Sequence, residues 1–170
     1  MKKRALAGFS VPCRIGFLVC SLIVIIIDQA SKAIVRHHLA LYQPVPFWQD
    51  HWNWMLSYNK GAAFGFLSTQ SGWQGILFGL VAALVAVFLV YYILNRVYGT
   101  LAGFGLSFIL GGAIGNLIDR FMFGEVTDFI DWHAGIHHFA TFNIADAFIN
   151  VGIALLIIDT IFFSKKNEPL

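Results

Sequence analysis

Long apolar runs separated by short polar stretches dominate the chain. Four of the runs, at about 15–35, 75–94, 101–123 and 144–163, come close to the roughly 20 residues a helix needs to cross hydrocarbon. The second and third are joined only by the short turn NRVYGT, which predicts an antiparallel hairpin. A different periodicity occupies residues 51–58. There Trp52, Trp54, Leu56 and Tyr58 alternate with His51, Asn53, Met55 and Ser57, a partial period-2 pattern that predicts a short strand. The expected architecture is an all-α membrane fold, a four-transmembrane-helix bundle. A small β-sheet and loop region, from residues 36–73 and 124–142, is expected to lie on the outer membrane surface. Trp48, Trp52, Trp54 and Trp73 suit the aromatic belt at a headgroup layer.

Composition supports this plan and excludes others. The 170 residues are 58% hydrophobic and only 12% charged, far below the roughly 25% usual in soluble domains. One hydrophobic unit accounts for the length, so a single domain over 1–170 is expected. A net charge of +2, with eleven scattered Lys and Arg, does not describe a nucleic-acid binder. Cys13 and Cys20 fall at or in the first apolar run, where apolar packing is expected rather than a disulfide or zinc site. The start MKKRALAGFS is similar to a signal peptide, but no small-residue cleavage site follows and the apolar run is too long, so a retained first span is expected. Four spans place both termini on one side. Lys2, Lys3, Arg4, Arg14, Arg96, Lys165 and Lys166 lie on that side, which the positive-inside rule makes the cytoplasm; Lys32, Arg36, Lys60 and Arg120 lie toward the other.

This topology gathers the polar residues of the spans at their outer ends. Asp28 and Lys32 are there on the first span; Asn116, Asp119 and Arg120 on the third; and Asn143 and Asp146 where the fourth begins. Asn150 and Asp159 lie further in. A charge at the bilayer centre costs roughly 2.5–3.5 kcal/mol on insertion scales, and buried polar groups need partners. Three helices presenting such groups at one depth therefore predict a shared polar site. Asp28 and Lys32 have i, i+4 spacing and read first as an ion pair fixing the first helix. Asn116, Asp119 and Arg120 share one helical face, with Asp119 beside Arg120 reading as a structural partner. Asn143, Asp146 and Asn150 share another face, expected to point into the bundle, although Asn143 could equally be no more than a helix N-cap. Gly111 and Gly115 form a small-xxx-small pair that permits close helix approach.

Other chemistries are weaker. His133 and His137 have helical spacing, but Gly135 interrupts it and no HExxH motif is present, so no metal is expected. Ser107 lies among apolar residues with no histidine nearby in sequence, which disfavours a serine nucleophile. A small transporter or proton-conducting protein is the principal alternative, because membrane carboxylates often mark ion paths. It would need polar residues through the midplane, and residues 75–94 carry no charge.

Six acids remain near the outer site: Asp28, Asp119, Glu125, Asp128, Asp131 and Asp146. Two carboxylates sharing a low-dielectric site cannot both ionise easily, so one retains a proton near neutrality. Such a pair can activate water with one member while the other polarises a scissile carbonyl. Sequence physics leaves open which two of the six meet.

The segments DQASK (28–32), NKGAAFGF (59–66), GGAIGNLIDR (111–120), VTDF (126–129) and FNIADAF (142–148), in this order on a four-span plan, resemble lipoprotein signal peptidase, or signal peptidase II. That resemblance implies an aspartic endopeptidase of the bacterial inner membrane with its site on the periplasmic side. The implied reaction removes signal peptides from prolipoproteins just before a diacylglyceryl-modified cysteine. It also implies Asp128 and Asp146 as the catalytic pair, with supporting or substrate-binding roles for Asp28, Lys32, Asn59, Gly61, Asn116, Arg120 and Asn143. No cofactor is implied; the partners are the prolipoprotein substrates and membrane lipid, with a monomer expected. Gly65 stands where many relatives have Ser, and Thr127 where Val is common. Cys20 follows FLV with no small residue before it, so the chain itself is not expected to be a substrate.

Overall fold

The computed structural model describes residues 11–61, 73–96 and 98–163. Four helices, α1 (Val11–His38), α2 (Trp73–Asn95), α3 (Thr100–Phe123) and α4 (Ile144–Phe162), are accompanied by four strands, β1 (Val45–Trp48), β2 (Trp52–Asn59), β3 (Val126–Ala134) and β4 (His137–His138). All four helices are long and apolar enough to span a bilayer. The spans expected from sequence are recovered, with α1 extended at both ends. The cations at 2–4, 165 and 166, Gly65 and the remainder of 62–72 lie outside the described residues.

The helix α3 is the hub, with α1, α2 and α4 all packed on it. In its apolar window 61% of residues are buried, against 17% in α2 and 11% in α4, whose outward faces carry Leu84, Val87 and Ile161 into the surroundings. Glycine makes this possible. A Cβ on Gly111 would meet the Ser21 carbonyl oxygen at 2.8 Å and Val24, both on α1, while one on Gly112 would run into the Ala145 carbonyl of α4. Gly115 lies between Asp28 and Ala145. The predicted small-residue face therefore serves two partners at once. At the end of the bundle away from the strands, Phe17, Ala86, Leu89, Ile93, Leu106 and Leu110 close an apolar core. Cys13 packs against that core, and both cysteines are free thiols.

The strands form one antiparallel sheet in the order β1-β2-β3-β4 over the opposite end. Trp52–Asn59 is the strand that alternation predicts, with an irregularity between Trp54 and Ser57. The strand β3 comes from 124–142, a segment expected in the sheet and loop region but with no strand placed in it. Both of its faces are covered from Val126 to Asp131, so it shows no alternation to read. Val35, Leu56, Phe129 and Ile130 form the core beneath the sheet, sealing it onto the ends of α1 and α4. Trp52 and Trp54 pack with Phe47 on the sheet, and Trp48 is exposed beside them.

One expectation is corrected. Asn150 does not face the bundle interior: it is exposed and donates to the Asp146 carbonyl of its own helix at 2.9 Å. His133 and His137, whose helical spacing Gly135 interrupts, belong to the β3–β4 hairpin, in which His133 pairs with His138 and Ala134 with His137. Gly135, at φ 58°, supplies the left-handed residue of that turn.

Candidate active site

Asp146 owes its position to a helix start. Asn143 is the N-cap of α4; its Oδ1 accepts from the Asp146 N–H at 3.0 Å, and Asp146 Oδ2 accepts from the Asn143 N–H at 3.2 Å, a reciprocal capping box. The capping role weighed for Asn143 is therefore present. It also leaves the Asn143 amide NH2 free to donate elsewhere. That group reaches Asp128 Oδ1 at 2.8 Å, Asn116 Oδ1 at 3.0 Å and the Thr127 carbonyl at 3.2 Å. Capping and site assembly are one arrangement.

Two further asparagines follow the same logic. Asn116 Oδ1 also accepts from Lys32 Nζ at 2.9 Å, which turns its NH2 toward Asp146 Oδ1 at 2.8 Å. Asn59 Oδ1 accepts from the Gly61 N–H at 2.8 Å, which turns its NH2 toward Asp128 Oδ2 at 3.1 Å. Gly61 sits at φ 94° with the Phe78 ring against its Cα, so a side chain there has neither the backbone conformation nor the room. In each asparagine a partner that can only donate fixes the oxygen, and the amide hydrogens face a carboxylate.

Four acids of the six are thus sorted into two pairs of opposite character. Asp28 and Asp119 share the buried Lys32 ammonium, at 2.8 and 3.5 Å, and Arg36 lies 3.7 Å from Asp119. Each also holds backbone: Asp28 Oδ1 accepts from the Ala145 N–H at 2.9 Å, and Asp119 Oδ2 from the Thr127 N–H at 2.8 Å. These bonds satisfy an otherwise unpaired donor in the first turn of α4 and fix the residue before Asp128. Asp128 and Asp146 instead meet through neutral amides. Among the described residues no Lys or Arg is within ion-pair distance of either. Burial first, and then the neighbouring Asp146 charge, push the Asp128 carboxyl up to about 7, against the opposing pull of the Asn59 and Asn143 hydrogen bonds and the Lys32 charge. Arg120 is the nearby cation, half-buried, within electrostatic reach of Asp146, Asp128 and Asp119, and its buried Nε has no partner among the described residues.

The remaining acids are elsewhere. Asp131 accepts from Asn53 Nδ2 at 2.9 Å and pairs with His138 Nδ1 at 2.8 Å on the sheet, while Glu125 sits in the turn into β3. His133 stacks on His138 with ring centroids 4.7 Å apart, and among the described residues no three His, Cys, Asp or Glu side chains are grouped to hold a metal ion. Ser107, midway along α3, returns its hydroxyl to the Gly103 carbonyl at 2.7 Å. Sequence reasoning missed Gln29, noted Thr127 only as a departure from the family pattern and counted Arg36 only as an outer cation. Gln29 Nε2 bridges Asp28, Asp119 and the Gly115 carbonyl, reachable only because glycine brings α3 against α1. Arg36 was findable, since residues 28, 32 and 36 repeat at four-residue spacing on one face.

Comparison with known proteins fits this arrangement. Residues 20–162 match the family model for signal peptidase (SPase) II. A lipoprotein signal peptidase of Coxiella burnetii (strain RSA 331 / Henzerling II) is 46% identical over 154 residues, covering 88% of this chain and 91% of the relative. One from Pseudomonas putida (strain KT2440) is 45% identical over 158 residues, 91% of each chain. A bacterial membrane enzyme solved by the in meso method at 2.3 Å superposes with a TM-score of 0.77 at 30% identity, covering 96% of this chain and 97% of that one. A second, solved at 1.9 Å, gives 0.78 at 28% identity, with 94% and 99% covered. With four membrane-spanning helices, a small antiparallel sheet and a match over most of its length, the chain belongs to the signal peptidase II family, a multi-pass bacterial membrane peptidase.

Proposed function

We propose that the chain is an aspartic endopeptidase that removes the signal peptide from diacylglyceryl-modified prolipoproteins, with Asp128 and Asp146 as its catalytic pair. The observation that carries this reading is the contrast between the two acid pairs. Asp28 and Asp119 are neutralised by Lys32 and Arg36, whereas Asp128 and Asp146 are brought together by amide donors that add no charge. Such a pair, with no Lys or Arg in ion-pair contact among the described residues, shares a proton near neutrality, and with a value of about 7 Asp128 is about half protonated at pH 7.

The chemistry follows from that protonation state. The Asp128 carboxyl donates to the oxygen of the scissile carbonyl and draws electron density from its carbon. The Asp146 carboxylate takes a proton from a water molecule, and the resulting hydroxide attacks the carbon to form a tetrahedral intermediate. Collapse breaks the C–N bond, the amine of the lipid-bearing cysteine leaves with a proton, and the proton on the pair is restored. Arg120, with its unpartnered Nε, is placed to hold substrate backbone or the developing oxyanion, where losing a donor typically costs about 10²- to 10³-fold in rate. Asp28, Lys32, Asn59, Gly61, Asn116 and Asn143 orient the pair.

The substrate's modified cysteine lies at the outer leaflet, and the site lies where the helices meet the sheet. The proposal therefore places the sheet on the periplasmic surface of the inner membrane, both termini in the cytoplasm, and the chain as one monomeric domain. Reporters fused at either terminus are expected to be active only in the cytoplasm; activity of a periplasm-dependent reporter at either end contradicts this orientation. Asp128→Asn and Asp146→Asn are each expected to insert normally and accumulate uncleaved, lipid-modified prolipoprotein. Near-parental cleavage by either removes the assignment.

A further inference from the structure

We propose that Arg36 is a positioning residue for Asp128, acting through the hydroxyl of Thr127; the inference rests on the catalytic reading of Asp128 given above. Arg36 lies in the last turn of α1, where a cation is favoured by the helix dipole. Its Nη1 donates to Thr127 Oγ1 at 2.8 Å and lies 3.7 Å from Asp119 Oδ1, and its guanidinium carbon sits 4.7 Å from the centre of the Phe123 ring. Thus one side chain reaches from α1 to the end of α3 and to β3.

Thr127 is fully buried, and every polar group it has is held. The N–H goes to Asp119, the carbonyl receives the Asn143 amide and the hydroxyl receives Arg36. Three side chains from three different segments thereby fix the residue immediately before Asp128. Among the described residues, the Asp128 carboxylate oxygens accept from the Asn59 and Asn143 amides, at 3.1 and 2.8 Å. Successive side chains on a strand point to opposite faces. Arg36 accordingly grips β3 through Thr127, whose side chain points to the face opposite that of Asp128, and its contacts are with Thr127, Asp119 and Phe123. A buried Val at 127 would fill the same space without a polar atom to satisfy. The hydroxyl serves the guanidinium, and the Arg36 side chain, 22% exposed, transmits the position of α1 to the strand.

A role of this kind appears in kcat rather than KM, because a small displacement of a catalytic group costs rate with little loss of substrate affinity. The test uses purified full-length protein and a diacylglyceryl-modified prolipoprotein, with thermal midpoints in the same detergent recorded to normalise for folded enzyme. Thr127→Val and Arg36→Gln are each expected to lower kcat about 10-fold with KM within about twofold of the parent. Thr127→Ser, which keeps the hydroxyl, is expected to recover most of the loss caused by Thr127→Val. The double variant Arg36→Gln with Thr127→Val is expected to be no slower than Arg36→Gln alone, because Thr127→Val removes a contact that Arg36→Gln has already removed. The proposal is overturned by parental kcat in Thr127→Val, by equal losses in the Ser and Val variants, or by multiplication of the two losses to about 100-fold. Asp128→Asn is assayed in parallel. If it cleaves at the parental rate, the catalytic reading fails; if it is inactive while the Arg36 and Thr127 variants behave as the parent, only the positioning role fails.

Discussion

Asn143 is the residue on which local and global requirements coincide. Its oxygen starts a helix by accepting from the Asp146 N–H and its side-chain NH2 donates to Asp128, so the cap reading and the site reading describe the two ends of one side chain. The sequence made Asn143 and Asp146 legible as a cap three residues apart. It could not reveal that the other partner was Asp128, because that choice depends on how β3 lies against α4. The proton on Asp128 has a consequence that can be measured. Its folded-state value of about 7 lies above the 3.8 of an unperturbed aspartate, so folding favours the protonated form. The resulting stabilisation, relative to Asp128→Asn, is complete below about pH 4 and lost as pH rises through 7. Activity is expected to fall on the alkaline side of about pH 7 as the pair loses its proton. Because the Asn59 hydrogen bond pulls the Asp128 value down, Asn59→Ala is expected to move that alkaline limb to higher pH in a pH–rate profile of kcat. A limb that stays in place or moves down contradicts the assignment.

Among the elements, α3 decides the geometry. Gly111 and Gly115 announced a close-packing face, but their spacing alone does not say which helices approach. Gly111 turns out to receive α1, Gly112 receives α4, and Gly115 lies against both Asp28 and Ala145. Gly112→Ala would press a methyl group into the Ala145 carbonyl and to within 2.7 Å of Ile149 Cγ1. The expected cost is about 1–3 kcal/mol of stability, with reduced cleavage because Asn116 is displaced from Asp146. Gly16→Ala is the control, since nothing lies within 4 Å of its added carbon. Thermal midpoints in detergent compare the two; equal midpoints contradict the close packing. The sheet was less legible than the helices for a physical reason. Residues 52–58 carry a partial period-2 pattern in sequence, while β3 is buried on both faces from Val126 to Asp131 and mixes Thr127, Asp128 and Asp131 among its apolar residues, so no alternation marks it as a strand.

At the scale of the molecule, Lys32 ties the assembly together. It joins α1 to α3 through Asp119 and Asn116 and pairs with Asp28 on its own helix; the two acids hold the start of α4 and of β3, and Asn116 holds Asp146. Lys32→Met leaves two buried carboxylates without that counter-ion, and breaking a buried pair typically costs about 3–5 kcal/mol. A marked fall in yield of folded protein and in thermal midpoint is expected; an unchanged midpoint contradicts the network. The four spans were plain from length and hydropathy, and the convergence of polar groups at one end followed from topology. The division of the acids into a neutralised pair and an unneutralised pair was not available from sequence, because it depends on which side chains the folded helices bring within a few ångströms. The measurement that bears most directly on that division is cleavage of a purified diacylglyceryl-modified prolipoprotein, followed by gel shift, with the parent, Asp128→Asn and Asp146→Asn. Both variants are expected to retain the parental thermal profile at neutral pH or better and to lose about 10²- to 10⁴-fold in rate; a folded variant that cleaves at the parental rate would contradict the pair.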